Sequence, residues 1–128
     1  HERLKALGIE RFFFHICGDQ NANLPHLAST SPWRHPSILS FGHEVNLEAA
    51  AKYFPKDIIC GNIEPAVIQT GTTQQVYELA KTTLENGKHI PGGFILSAGC
   101  ELPIASPAAN VFAITKAVDD FGWYPERF

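Results

Sequence analysis

Three residues in this chain could hold one metal ion if the fold brings them together: His15, Cys17 and Cys100. One imidazole nitrogen and two thiolate sulfurs select zinc among the common metals. Three protein ligands leave a coordination position for substrate, which is the pattern of catalytic zinc. His15 and Cys17 are two apart at the end of an apolar run. On a strand, side chains at that spacing share a face, roughly 6–7 Å apart along it, so both can reach one ion. Taken alone the pair is weak evidence, because packed histidines and buried cysteines are common. Cys100 strengthens it. That residue follows a glycine and precedes Glu101-Leu102-Pro103, a polar turn that gives a purely structural cysteine little to pack against. It can supply a third ligand if the sheet closes into a barrel.

Cys60, inside an apolar run, reads instead as a small core residue. Three widely spaced cysteines do not form a secreted disulfide framework, so a reducing, cytoplasmic setting is expected. His26, His35 and His89 sit among loop residues and carry no assignment.

The elements that must position these groups are legible as short apolar runs alternating with helical patterns. The runs at 12–16, 37–41, 57–60 and 94–97 are aromatic or β-branched and bounded by glycine or proline. Continuous apolarity of that kind suits buried parallel strands. Asn46 can cap a helix with apolar positions Leu47, Ala50, Ala51 and Phe54, stopped by Pro55. Thr72 or Thr73 can cap the next, whose stripe is Val76, Leu79, Ala80, Thr83 and Leu84 and which Gly87 closes. Ser106-Pro107 opens a third, lined by Val111, Ile114, Val118 and Phe121 and ended by Gly122. The first connection, 20–36, is broken by Pro25, Pro32 and Pro36 and offers at most one short helix near 24–30. Its Pro32-Trp33-Arg34-His35-Pro36 stretch reads equally as a loop over the active site or as a surface loop with one packed tryptophan.

Four βα units in a row imply an α/β fold with a parallel sheet, either a small open sheet or half a barrel. In both, functional residues gather just past the C-terminal ends of the strands. Each strand here ends in such a cluster: His15, Cys17 and Asp19; His43 and Glu44; Asn62 and Glu64; Cys100 and Glu101.

Composition agrees with an ordinary globular domain. Of 128 residues, 45% are hydrophobic and 18% charged, with a net charge of −3. No basic run suggests nucleic acid, and no apolar run approaches the roughly 20 residues needed to cross a bilayer. The chain starts at His1, contains no Met, and opens on what reads as the tail of a helix ended by Gly8. An upstream partner is therefore expected.

His15-Ile16-Cys17-Gly18-Asp19, Gly61-Asn62-Ile63-Glu64-Pro65 and 93–103 resemble the uroporphyrinogen decarboxylase superfamily, and 106–111 fits as well. The resemblance covers nearly the whole chain. It implies the C-terminal half of an eight-stranded βα barrel spanning 1–128, with the N-terminal half as its partner. Within the superfamily the motifs are closer to cobamide-dependent methyltransferases, which pass a methyl group from a corrinoid protein to coenzyme M and use a His-x-Cys…Cys zinc site. His15, Cys17 and Cys100 fall on those ligand positions.

The resemblance thus implies Zn2+, a corrinoid protein as methyl donor and a small-molecule thiol or similar acceptor, with Asn62 and Glu64 on the cofactor side. It departs at Gly42, where these methyltransferases tend to carry an acidic residue near the zinc. The fourth zinc position is then open to His43, Glu44 or water. Glu44 and Glu101 are the candidate acids, and with Asp19 they could also orient His15 through its second ring nitrogen. If the acceptor is a folate rather than a thiol, the acids become proton donors.

Two other readings compete. A metal-independent porphyrinogen decarboxylase predicts a basic, carboxylate-binding cleft, and this chain offers only Arg3, Arg11, Arg34 and Arg127. A non-enzymatic zinc or corrinoid-binding module predicts a fourth protein ligand that closes the site.

Overall fold

The computed structural model describes residues 2–30 and 33–124. Arg127 and the Ser31-Pro32 part of the proline-rich loop lie outside them. The fold is α/β. Strands β1 (Phe13–Ile16), β2 (Ile38–Phe41), β3 (Ile58–Ile63) and β4 (Phe94–Ala98) form one parallel sheet in the order β1-β2-β3-β4. Helices α1 (Glu2–Ala6), α2 (Leu24–Ser29), α3 (Leu47–Tyr53), α4 (Pro65–Thr70), α5 (Thr73–Gly87) and α6 (Ala108–Phe121) accompany it. Sequential parallel strands joined by helices are what consecutive units of a (β/α)8 barrel provide.

The helices lie where local chemistry starts and stops them. Asn46 caps α3 by accepting the Ala49 N–H at 2.8 Å. Thr72 opens α5 with a reciprocal capping box to Gln75. Helix α1 ends in a Schellman pair, Gly8 N–H to Lys5 C=O and Ile9 N–H to Leu4 C=O, with Gly8 at a φ of 84°.

Four expectations change. Strand β3 runs on to Ile63, because its ladder to β4 continues through Gly61, Asn62 and Ile63. Helix α4 is additional: proline at its first position favours it, but six residues are too few to show periodicity. Ser106 does not cap α6. Pro107 is the flanking residue, and the Ser106 Oγ is buried with no hydrogen-bond partner. On α6, Val111, Ile114 and Phe121 pack as expected, but Val118 is exposed and the fully buried positions are Asn110, Ala113 and Ala117. Small residues win there because α6 lies close against α5. Asn110 fits because its amide donates to the Ile68 and Gly71 carbonyls at the end of α4.

Alternation along the strands divides the sheet into two unlike faces. Phe14, Ile16, Leu39, Phe41 and Ile59 pack under α2 and α3. Ile63, Leu96 and Ala98 pack under α4, α5 and α6. The opposite face carries Phe13, His15, Ile38, Ser40, Ile58, Cys60 and Ile95, with Phe13 64% and Ile95 41% exposed. That second face is thus exposed at the edge strands, while Ser40 and Cys60 on the central strands are buried. Among the described residues, no helix is long and apolar enough to cross a membrane.

Candidate metal centre

His15 lies one residue before the end of β1 on that second face, and Cys17 follows on the same side. Cys100 lies two residues past the end of β4. Their ligand atoms all fall within 4.8 Å of one another. The His15 Nε2 is 3.0 Å from the Cys17 Sγ, and the two sulfurs are 3.3 Å apart. All three residues are exposed.

Two strands separate β1 from β4, yet no barrel closure is needed to join these groups. The loops past the strand ends collapse across the sheet on glycines. A side chain at Gly42 would start 2.9 Å from the Gly18 backbone nitrogen, and one at Gly99 would start 2.6 Å from that of His43. Glycine at both points lets the backbones touch, carrying Cys100 over the end of β2 to Cys17.

The electrostatics of the cluster are anionic. The Cys17 thiol is pushed up, first by its hydrogen bond with Cys100, then by desolvation and by the Cys100 and Glu44 charges. Two sulfurs and a carboxylate therefore resist ionising together. The strand-end segments 17–23, 42–46 and 99–107 contain no Lys or Arg to relieve them. A divalent cation would supply that charge, and an imidazole with two sulfurs is a zinc donor set.

The other expected residues are distributed around this group. Glu44 folds back so that its Oε2 fills the space a side chain at Gly42 would need, 2.5 Å from where that Cβ would sit. His43 stands outside the group of three. Its Nδ1 lies 3.4 Å from Glu44, and it lines a cavity of about 290 Å³ with Asn62, Thr83 and Asn86. The Asn62 side chain donates to the Gly42 and Val45 carbonyls, so it pins the turn after β2. Glu64 flanks the start of α4 without capping it. Glu101 is exposed beside Cys100. Asp19 does not reach His15: its Oδ1 accepts both the backbone and side-chain N–H of Asn21, capping that turn.

The partner of His15 is Ser40, whose Oγ is 2.9 Å from the Nδ1. Sequence reasoning missed it, because Ser40 stands inside an apolar run and only the β1–β2 register sets it opposite His15.

The uroporphyrinogen decarboxylase (URO-D) family matches residues 1–121. The chain belongs to that family. Among curated proteins, no match is found. Membership accords with the parallel βα units and with functional groups at the C-terminal strand ends. It makes an enzymatic role the natural reading, while the family name alone leaves the type of reaction to the residues of the site.

Where the basic residues of this family member lie bears on that question. Arg11 lies two residues before β1, and Arg34 pairs with Glu10 at 2.7 Å, both at the N-terminal end of the sheet. The face with the thiols is thus acidic and sulfur-rich.

Proposed function

We propose that this chain provides the zinc-binding half of a methyltransferase, which moves a methyl group from a corrinoid to a thiol or similar small acceptor. The observation that carries the reading is the convergence of His15, Cys17 and Cys100 donor atoms within 4.8 Å. His15, Cys17 and Cys100 would hold the zinc, with the fourth position left to the acceptor or shared with Glu44 or His43. Bound there, zinc supplies Lewis acidity that keeps an acceptor thiol ionised at neutral pH.

The chain's own residues do the rest. Cys17 and Cys100 give up their protons, and His15 is held by Ser40. Glu44 stands close enough to raise the Cys17 thiol and can take a proton from an incoming acceptor. The corrinoid would supply the methyl group for displacement by the acceptor sulfur. The protein's part in such a displacement is positioning. A corrinoid protein and the other half of the barrel are the proposed partners, with Asn62 and Glu64 proposed on the cofactor side.

The test is zinc content by elemental analysis, together with thiol-dependent demethylation of methylcobalamin followed by absorbance, in wild type and Cys100→Ser. About one zinc per chain and demethylation, both lost in the variant, support the proposal. Well-folded protein without zinc or demethylation sinks it. Decarboxylation of a porphyrinogen by a metal-free wild type would favour the carboxy-lyase instead.

A further inference from the structure

The Cys17 and Cys100 sulfurs lie 3.3 Å apart, and both residues are exposed. Exposed thiols are open to oxidants, and an oxidised sulfur is open to attack by a thiol that touches it. A disulfide holds its sulfurs at about 2.05 Å, so roughly 1 Å of closure separates this pair from a bond. The backbone is already at close approach, because Gly42 lies against Gly18 and Gly99 against His43. The third cysteine is placed quite differently. Cys60 is 3% exposed and stands inside β3, where its register partners are Ser40 and Ile95.

We infer that Cys17 and Cys100 form a peroxide-sensitive dithiol, a modification site that closes to an intramolecular disulfide in the metal-free chain. In the first step a peroxide oxygen bonds to one sulfur as the O–O bond breaks, giving a sulfenic acid and one water. In the second, the other thiol sulfur attacks the first. The S–S bond forms, the S–O bond breaks, and the hydroxyl leaves with the second thiol's proton as another water. Each sulfur loses one electron, and the peroxide gains two. A sulfenic acid with no thiol beside it runs on to irreversible acids; here the neighbouring sulfur is in place to intercept it. The functional consequence rests on the zinc reading above. Metal binding needs thiolates, so one oxidation removes two of the three ligands together, and a reducing dithiol returns them. The disulfide itself does not rest on that reading.

The test treats the metal-free full chain, its fold checked by circular dichroism, with equimolar hydrogen peroxide. Alkylation after unfolding, read by mass spectrometry, counts the thiols. The count should fall from three to one, with Cys60 the thiol that remains and Cys17 cross-linked to Cys100 in a non-reduced digest. Dithiothreitol should return it to three. Cys100→Ser should form no such cross-link and leave Cys17 to run on to sulfinic acid. Should that variant fail to fold, Cys17→Ser should do the same to Cys100. Wild-type thiols that reach sulfinic acid without the cross-link, disulfides that join two chains instead, or three thiols left intact each overturn the inference.

Zinc release to a chromophoric chelator is the second readout. Peroxide added to the zinc-loaded chain should free one zinc for each disulfide formed, and dithiothreitol should restore binding. Zinc retained by a chain that carries the 17–100 disulfide would overturn the switching role. A wild type that binds no zinc yet forms the disulfide would sink the metal reading and leave the dithiol standing. Zinc binding in a chain whose thiols never join would do the reverse.

Discussion

At the N-terminal end of the sheet, Asp57 is fully buried and its carboxylate is saturated. Its Oδ1 accepts the Ser37 backbone N–H and faces the His35 Nδ1, each at 2.8 Å, while Oδ2 accepts the Trp33 Nε1–H at 3.3 Å. Trp33 packs at a tilt against Phe14, with ring centroids 4.8 Å apart. At the C-terminal end, His15, Cys17 and Cys100 are exposed, and the two sulfurs crowd each other. Both clusters tie together residues far apart in sequence, yet only the first is centred on a buried group. A satisfied buried network specifies structure; a cluster of exposed soft donors at strand ends specifies chemistry. The Pro/Trp loop therefore belongs to stability through its packed tryptophan, because its contacts lie at the end of the sheet opposite the thiols.

This contrast can be broken most forcefully at Asp57. Asp57→Ala leaves the Ser37 N–H and the Trp33 Nε1–H without their acceptor, and should cost about 3 kcal/mol or more in denaturant unfolding. Zinc per folded chain should stay unchanged, and a lost metal in folded protein would show that the two ends are coupled. Gly99→Ala comes next, because its methyl meets the His43 backbone. A cost of about 1–3 kcal/mol is expected, with weaker zinc binding as Cys100 is pushed away. Equal zinc affinity would show that Cys100 reaches the site by another route.

Smaller still is the effect of Cys100→Ser on metal-free stability, expected within about 0.5 kcal/mol for an exposed residue, even though zinc binding should collapse. A large loss of metal-free stability would make the thiol cluster structural and erase the contrast. The smallest effect concerns Cys60, whose thiol burial raises above its ordinary value of 9.0. The unfolded thiol ionises first. Its contribution to stability is then complete below that value and fades as pH rises through the higher folded-state value. Cys60→Ala should flatten alkaline unfolding measured by circular dichroism, and an unchanged pH profile would refute this.

The sequence sufficed for elements whose signals are local. Asn46 and Thr72 cap where a side-chain oxygen meets orphan N–H groups, and the four apolar runs became four parallel strands. Signals that depend on a neighbour were not legible. Ser106 resembles a cap, but Pro107 takes the flanking position. Gly87 ends α5 as expected, yet it is glycine because the Phe94 ring lies 2.1 Å from where a Cβ would stand. Asp19 offered two roles, and the position of Asn21 selected the turn cap.

For the site, residue type and spacing alone determined that His15 and Cys17 share a face at a strand end, since side-chain alternation is a property of one strand. That Cys100 meets them, that Glu44 fills the space beside Gly42, and that Ser40 backs His15 were decided only by tertiary structure. Each depends on register or on backbone contact between loops. Those contacts join residues 25 and 83 positions apart, and no periodicity within a single segment encodes which strand will lie beside which.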